Sequence, residues 1–479
     1  MIPGKLHALS VIDEKQALLT DMSDYLWDHP EVCYTEKLAT ELYCTVLEQE
    51  GFQVEKNLAE IPTAFSGRFG SGHPVIGFLG EFDALPGLSQ KAGCTEKIPE
   101  EAGKPGHGCG HNLLGVGSLG AAMAVKRYLE ENPGDGTVIF FGCPAEEGGA
   151  GKGFMARAGV FDELDLAISW HPGESNSVAT ERTMANCQLL YHFYGTASHA
   201  AISPEMGRSA LDALELMNTG VQYLREHMPS DHRLHYAITD TGGSSPGTVQ
   251  PYAAVLYLIR APKLADAVKL RERVDKVALG ASIMTETTFQ AEFIKAASDM
   301  ILNRTLNELL QKNFEEIPPL VFDKEDRKLA RDLIATMKGD YSYYREQVEM
   351  VQDPDIRADL EQESHAELHT KVIPLLPETQ GFASSDVGDV SNVCPVGQIG
   401  TATMPAGTSM HSWQEVAVGK SGMAHKGMLY AAKVMGAAGV DILLDPSIAV
   451  RAKAEFKARR GPDRWVSPIP EEVGPRIPK

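Results

Sequence analysis

The sequence predicts an α/β protein: a catalytic α/β domain with a mostly parallel sheet, interrupted by a smaller α+β domain. Three observations carry this reading. Apolar, strand-like runs at residues 64–69, 75–79, 137–143 and 166–170 are interleaved with helical stretches. Strands that alternate with helices build parallel sheets whose loops gather on one edge. From Cys187 the pattern changes to β-α-β-β-α-β, that of a small sheet covered by two helices on one face. A length of 479 residues also suggests two to three domains. Residues 1–185 and 298–479 are read as two parts of the catalytic domain, and 186–297 as the inserted domain.

Taken in order, residues 14–51 carry apolar positions at three- and four-residue steps and read as helix, broken at His29-Pro30 and stopped by Gly51. The strand at 75–79 runs into Gly80-Glu81-Phe82-Asp83-Ala84-Leu85-Pro86-Gly87. A carboxylate there lies at the C-terminal edge of the sheet, where open α/β sheets hold ligands. Next comes Gly106-His107-Gly108-Cys109-Gly110-His111-Asn112. In an extended segment His107, Cys109 and His111 share one face. Asn112 suits the N-cap of a helix over 113–132. The strand at 137–143 ends in Pro144-Ala145-Glu146-Glu147-Gly148-Gly149, followed by a helix near 153–158. The strand at 166–170 ends in His171-Pro172. Three successive strands therefore end in potential ligands: Asp83, Glu146-Glu147 and His171.

In the insert, strands at 188–194, 233–241, 252–260 and 287–293 combine with helices at 209–227 and 264–284. The loop after the first of these strands carries His199, and the third ends at Arg260. Helices resume at 302. Residues 325–372 are rich in charge and read as exposed helix or loop. His365 and His369 are spaced for one helix face, but in a solvated charged run the pair reads as structural. Residues 382–390 bring Asp386 and Asp389, and the glycine-containing loop 405–413 brings His411. A helix over 424–438 closes the core, with 439–479 wrapping the surface.

A net charge of −21 excludes nucleic acid as a partner and requires a local positive group for any anionic substrate. Seven scattered cysteines without framework spacing point to a reducing compartment. Residues 1–13 lack a signal-peptide core, and no apolar run reads as long enough to span a membrane. The expected location is the cytoplasm.

A two-metal hydrolase needs about five ligands around ions roughly 3.5–4 Å apart, plus a base for the attacking water. Cys109, His111, Glu147, His171 and His411 offer the ligands, and Glu146 is left over as the base. Taken singly, each has a blander reading: a solvated helix start for the glutamates, or hydrogen-bonded loop histidines. A Cys109 nucleophile with a histidine base is a rival chemistry. It leaves Glu146, Glu147, His171 and His411 without a role. A non-catalytic or weakly active partner subunit is the third reading.

The segments 78–86, 106–111, 144–149, 170–172, 195–201, 385–390 and 411–413, in this order, resemble the aminoacylase/carboxypeptidase superfamily of metallopeptidases, in its amidohydrolase branch. The resemblance implies hydrolysis of the amide bond of an N-acyl amino acid or dipeptide-like substrate. It implies two divalent ions, zinc or manganese with cobalt also accepted. Cys109 would bridge them, with His111, Glu147, His171 and His411 completing the shell. Asp83 would orient a ligand, and Glu146 would act as general base and then acid. His199, from the insert acting as a lid, would stabilise the oxyanion. Arg260 would hold the substrate carboxylate. The lid would join two copies into a homodimer, and a hetero-oligomer with a related subunit is a further implied form. One departure is plain: Ser245-Pro246-Gly247-Thr248 stands where the family commonly carries Asn. That puts substrate preference in question.

Overall fold

The computed structural model describes residues 1–339 and 341–478. Its first six strands are β1 (Gln53–Lys56), β2 (Phe65–Ser71), β3 (Val75–Glu81), β4 (Gly136–Cys143), β5 (Leu166–Gly173) and β6 (Ser177–Val178). A short β7 (Glu181–Arg182) leads into β8 (Ala185–Tyr194), β9 (Arg233–Asp240), β10 (Tyr252–Ala261) and β11 (Thr288–Ala297). Beyond a run of helices lie β12 (Thr379–Gln380) and β13 (Val396–Ala402). The main sheet has the order β1-β2-β4-β3-β5-β13-β6. Its centre, β4-β3-β5-β13, is parallel, and antiparallel β1, β2 and β6 extend the flanks.

β3 and β4 are buried from end to end, which is why they read as unbroken apolar runs. Alternate residues still divide between two cores. Ile76, Phe78, Val138, Phe140 and Trp170 face a core shared with helices His111–Glu131 and Gly422–Leu444. Val75, Leu79, Ile139 and Phe141 face a second core with Phe154 and Met155 of helix Gly151–Arg157. Each such side chain contributes about 1.5–3 kcal/mol on burial, so the sheet edge is a rigid platform. Gly115 lets helix His111–Glu131 lie close on β3. A Cβ there would fall 2.3 Å from Tyr43 Oη and 2.7 Å from the Glu81 carbonyl.

The second sheet runs β11-β8-β10-β9, antiparallel throughout. Leu189, Tyr191 and Phe193 of β8 and Val255, Tyr257 and Ile259 of β10 are buried in one core with helices Ala210–Arg225 and Leu264–Thr285. The edge strand β9 is exposed from His235 to Asp240.

Three features depart from expectation. Helix Pro3–Glu14 precedes the predicted helical start. Helix Gly422–Leu444 extends past both predicted ends and, by length and composition, is apolar enough to cross a membrane, contrary to the sequence reading. It is nonetheless a core helix, with 83% of its apolar window buried inside the molecule. The charged stretch folds into helices Lys324–Ile334, Tyr343–Met350 and Pro354–Glu361. A small core of Tyr344, Val348, Val351, Leu360, Ile373 and Leu376 lies beneath the last two. His369 is fully buried there, stacked 3.8 Å from the Tyr344 ring with Nδ1 3.0 Å from the Glu174 carbonyl. It is a packing residue, not a ligand of an exposed helix.

Candidate metal centre

The four parallel strands of the main sheet bring their C-terminal ends to one place. β3 leads to Asp83, β4 to Glu146 and Glu147, β5 carries His171, and β13 leads to the loop with His411. Cys109 and His111 arrive on the turn that opens helix His111–Glu131. The turn is not the extended segment expected. Gly110, at φ +66°, is the N-cap, and Asn112 lies inside the helix, its Nδ2 donating to Ser23 Oγ at 3.0 Å and to the Gly419 carbonyl at 3.1 Å. His107 turns away, its Nε2 3.1 Å from the Leu26 carbonyl.

Five of the predicted ligands meet in two overlapping sets. The donor atoms of Cys109, His111 and His171 lie within 4.8 Å of one another, as do those of Cys109, Glu147 and His411. Cys109 belongs to both, the position of a bridging ligand. Its Sγ lies 3.5 Å from His171 Nε2, and Glu147 Oε2 lies 3.5 Å from His411 Nε2. His111 Nδ1 is 3.0 Å from Asp83 Oδ1, and His171 Nδ1 is 2.8 Å from the Pro172 carbonyl. Those acceptors hold a proton on Nδ1 of each ring and would make Nε2 the atom that ligates a bound ion. Asp83 also accepts the Glu147 backbone N–H at 3.0 Å, so one buried carboxylate orients two of the donors. His111 Nε2 and Glu147 Oε1 are buried without a hydrogen-bond partner. Each such orphan costs about 1–3 kcal/mol, and a metal ion would satisfy both. The donor set therefore fits a pair of divalent cations.

Without an ion the electrostatics are mixed: burial opposes protonation of His111, but Cys109 and Asp83 outweigh it and hold its pKa well above the ordinary value. Burial, then the neighbouring His111, lowers the pKa of His171 and of His411, keeping both imidazoles neutral as ligation requires. Burial pushes Glu147 up to about 7. Burial also pushes the Cys109 thiol well up, despite His111. An activated cysteine nucleophile needs the opposite shift. Burial opposes ionisation of Asp83 too, but the hydrogen bond and charge of His111 outweigh it and hold Asp83 below its ordinary value.

Part of the backbone strain lies at the same place. Ala145 (φ +62°), Ala150 (φ +55°) and His411 (φ +60°) are non-glycine residues in the left-handed region. Such strain costs about 1–3 kcal/mol per residue and persists where surrounding contacts over-determine it. The His411 N–H is held by the Gly108 carbonyl at 2.7 Å and Glu415 Oε2 at 3.0 Å. The Ala145 N–H donates to Glu36 Oε1 at 2.9 Å, and Tyr34 Oη donates to the Gly149 carbonyl at 2.8 Å.

The profile of Peptidase family M20/M25/M40 matches residues 77–415, which contain all five donors. The chain belongs to this family. It is 42% identical over 466 residues to a p-aminobenzoyl-glutamate hydrolase subunit of Escherichia coli (strain K12), covering 97% of both chains. It is 30% identical over 329 residues to the Xaa-Arg dipeptidase of Homo sapiens, covering 65% of this chain and 70% of that one. The solved structure of a dinuclear metal-binding peptidase of Bacillus subtilis superposes with a TM-score of 0.56 at 15% identity, over 90% of this chain and 99% of that one. The M20 chain is a metal-dependent amidohydrolase.

Two other expected residues of this M20 chain have contacts of their own. His199 is exposed on the second sheet's loop, its Nδ1 accepting from the Ala201 and Ile202 N–H groups at 3.2 Å each. None of the donor sets found among the described residues includes it. Arg260 Nη1 donates to the Phe382 carbonyl at 3.1 Å, while its Nε is buried without a partner. Several residues around the centre escaped the sequence reading. Glu36, Glu415 and Lys152 are buried against it, the last paired with Glu81 and Asp386 at 2.9 and 2.5 Å. Glu81 had a signal: it sits two residues before Asp83. Glu36 and Glu415 come from distant helical regions that carry no ligand motif.

Proposed function

We propose that this amidohydrolase cleaves N-acyl-glutamates, with p-aminobenzoyl-glutamate or a close analogue as substrate, using two divalent ions. The observation that carries the reading is the pair of donor sets sharing Cys109. The near full-length similarity to the Escherichia coli p-aminobenzoyl-glutamate hydrolase chain supports the acyl-glutamate. Cys109 would bridge the ions, His111 and His171 holding one and Glu147 and His411 the other. Thiolate with imidazole favours zinc, and the carboxylate–imidazole side also accepts manganese or cobalt. Bound ions supply Lewis acidity, lowering the pKa of a water and polarising the amide carbonyl.

The chain's own groups do the rest. Glu146 belongs to neither of the two sets that share Cys109, and its carboxylate takes the proton from water and passes it to the leaving amine nitrogen. Asp83 fixes the His111 tautomer and the Glu147 loop together. Arg260 receives the free carboxylate of the substrate on its unpartnered side, a task suited to guanidinium. His199 donates to the oxyanion. In this chain it lies on the lid and outside the donor sets, which supports its acting in a partner copy's site. We take 186–297 as the lid and 1–185 with 298–479 as the catalytic domain. The working form is then a homodimer, or a hetero-oligomer with a related subunit, in the cytoplasm, where its unpaired cysteines stay reduced.

Gly247 favours a second reading, a weakly active partner subunit. A side chain there would meet open space, with only Ser245 Oγ at 3.9 Å, where the family commonly places an amide. One experiment separates the two. Chelated protein is reloaded with zinc, manganese or cobalt and assayed on p-aminobenzoyl-glutamate, beside Glu146→Gln. The proposal expects metal-restored turnover, lost at least ~1,000-fold in the variant with two ions still bound. Metal uptake without turnover on any acyl-glutamate would leave the partner-subunit reading standing.

A further inference from the structure

The donor sets leave one carboxylate at the centre without a role. Glu81 ends β3 with its side chain 3% exposed. Its Oε1 lies 2.9 Å from Lys152 Nζ, and its Oε2 lies 3.3 Å from His111 Nε2. His111 Nδ1 faces Asp83 Oδ1 at 3.0 Å and the Asp83 carbonyl at 3.1 Å, so Nδ1 carries a proton. Nε2 is buried, has no hydrogen-bond partner, and faces Glu81 Oε2. A proton on Nε2 would meet the Glu81 carboxylate, and an ion that displaces that proton would stand between the same two atoms.

The spacing suits that cation. Two nitrogen or oxygen donors on one tetrahedral zinc, each bonded at about 2.0–2.1 Å, stand about 3.4 Å apart. The Glu81–His111 contact at 3.3 Å and the Glu147–His411 contact at 3.5 Å match this, and the Cys109–His171 contact at 3.5 Å suits the longer zinc–sulfur bond of about 2.3 Å. The donor atoms of Glu81, His111 and Glu146 also lie within 4.8 Å of one another.

The rival account makes Glu81 merely the counter-ion of buried Lys152. Asp386 already fills that place. Its Oδ1 is 2.5 Å from Nζ, and its Oδ2 accepts the Lys152 backbone N–H at 2.9 Å. Charge for charge, one carboxylate suffices for one ammonium, and Glu81 directs its second oxygen at the imidazole.

We propose that Glu81 is a further metal ligand, donating Oε2 to the ion held by His111, with Lys152 fixing the carboxylate through Oε1. The inference rests on the two-metal reading of the site. That ion would draw on Cys109, His111 and His171 of one donor set and on Glu81 of the neighbouring set, which shares His111. Lys152 is a positioning residue: it sets which oxygen of Glu81 faces the ion.

The test is metal binding by the full chain, without substrate. Chelated wild type, Glu81→Gln, Glu81→Ala and Asp386→Asn are titrated with zinc against a chromophoric chelator, and with cobalt while the visible spectrum is recorded. Circular dichroism of the metal-free proteins checks folding, and the near-isosteric Glu81→Gln carries the test should Glu81→Ala not fold. Two ions are expected in wild type. In both Glu81 variants one ion should bind more than about 100-fold more weakly, beyond the 10–100-fold typical of groups that only orient a ligand. The cobalt spectrum of that ion should change. Asp386→Asn should keep both affinities within about three-fold and keep the spectrum. Wild-type affinity and spectrum in the Glu81 variants would overturn the inference while leaving the two-metal reading intact. An Asp386→Asn loss equal to that of Glu81→Gln would overturn it too, in favour of the counter-ion account. Wild type that takes up no ion would instead remove the two-metal reading itself.

Discussion

Glu36 is a buried carboxyl that holds the catalytic loop through the Ala145 N–H. Burial, then the charge of Asp83, pushes it up to about 8 from an ordinary 4.5. Its Oε2 has no hydrogen-bond partner. The unfolded chain releases this proton near pH 4.5, whereas the folded chain keeps it to about pH 8. Between those limits the folded state binds more protons, so stability falls as pH rises, by about 1.4 kcal/mol per pH unit for this group. The accumulated cost is about 1 kcal/mol at pH 5 and about 3 kcal/mol at pH 7. Glu36→Gln keeps the acceptor for Ala145 and removes the titration. The variant should therefore gain on wild type across this range, most steeply between pH 5 and 8. The assay is urea unfolding of both metal-free proteins at pH 5, 6, 7 and 8, where other titrating groups cancel in the difference. A stability difference that stays flat with pH, or moves towards wild type as pH rises, would refute the reasoning.

Cys109→Ser should lower metal content together with activity. Because burial raises the thiol, wild-type affinity should climb as pH rises from 6 to 8, since the thiol proton must leave on binding. Activity lost with full metal retained would point instead to a nucleophilic cysteine. Arg260→Ala should raise KM at least ~10-fold for a substrate with a free α-carboxylate but little for its amide, and equal losses on both would remove the carboxylate role. Complementation tests His199. His199→Ala and Glu146→Ala chains, unfolded, mixed equally and refolded, should recover about a quarter of wild-type activity if the histidine crosses a two-fold interface. A mixture no more active than the separate variants would place His199 in its own site.

Much of the centre was legible because its residues sit where local rules put them. Apolar runs that end in Asp83, Glu146-Glu147 and His171 have to be parallel strands, since the intervening segments are helical, and parallel strands share a C-terminal edge. The glycine-spaced Cys109 and His111 were visible as donors, but not the turn that presents them. Alternation assumes an extended chain, but the segment turns into the helix at left-handed Gly110, and His107 points to the Leu26 carbonyl instead. The second sheet followed from its strand and helix order, whose alternating apolar faces are local information.

What the tertiary structure alone decided is the support of the donors. Glu36, Lys152, Asp386 and Glu415 are ordinary charged residues in sequence, and only folding buries them where each must find a partner or lose its charge. The small core under Tyr344 and the burial of His369 were hidden in the same way, by a charged composition that speaks for surface. The sequence by itself determined which side chains can bind metal, because ligand chemistry belongs to residue type. The tertiary structure determined which of them share one ion, because that depends on ångström distances between strands far apart in the chain.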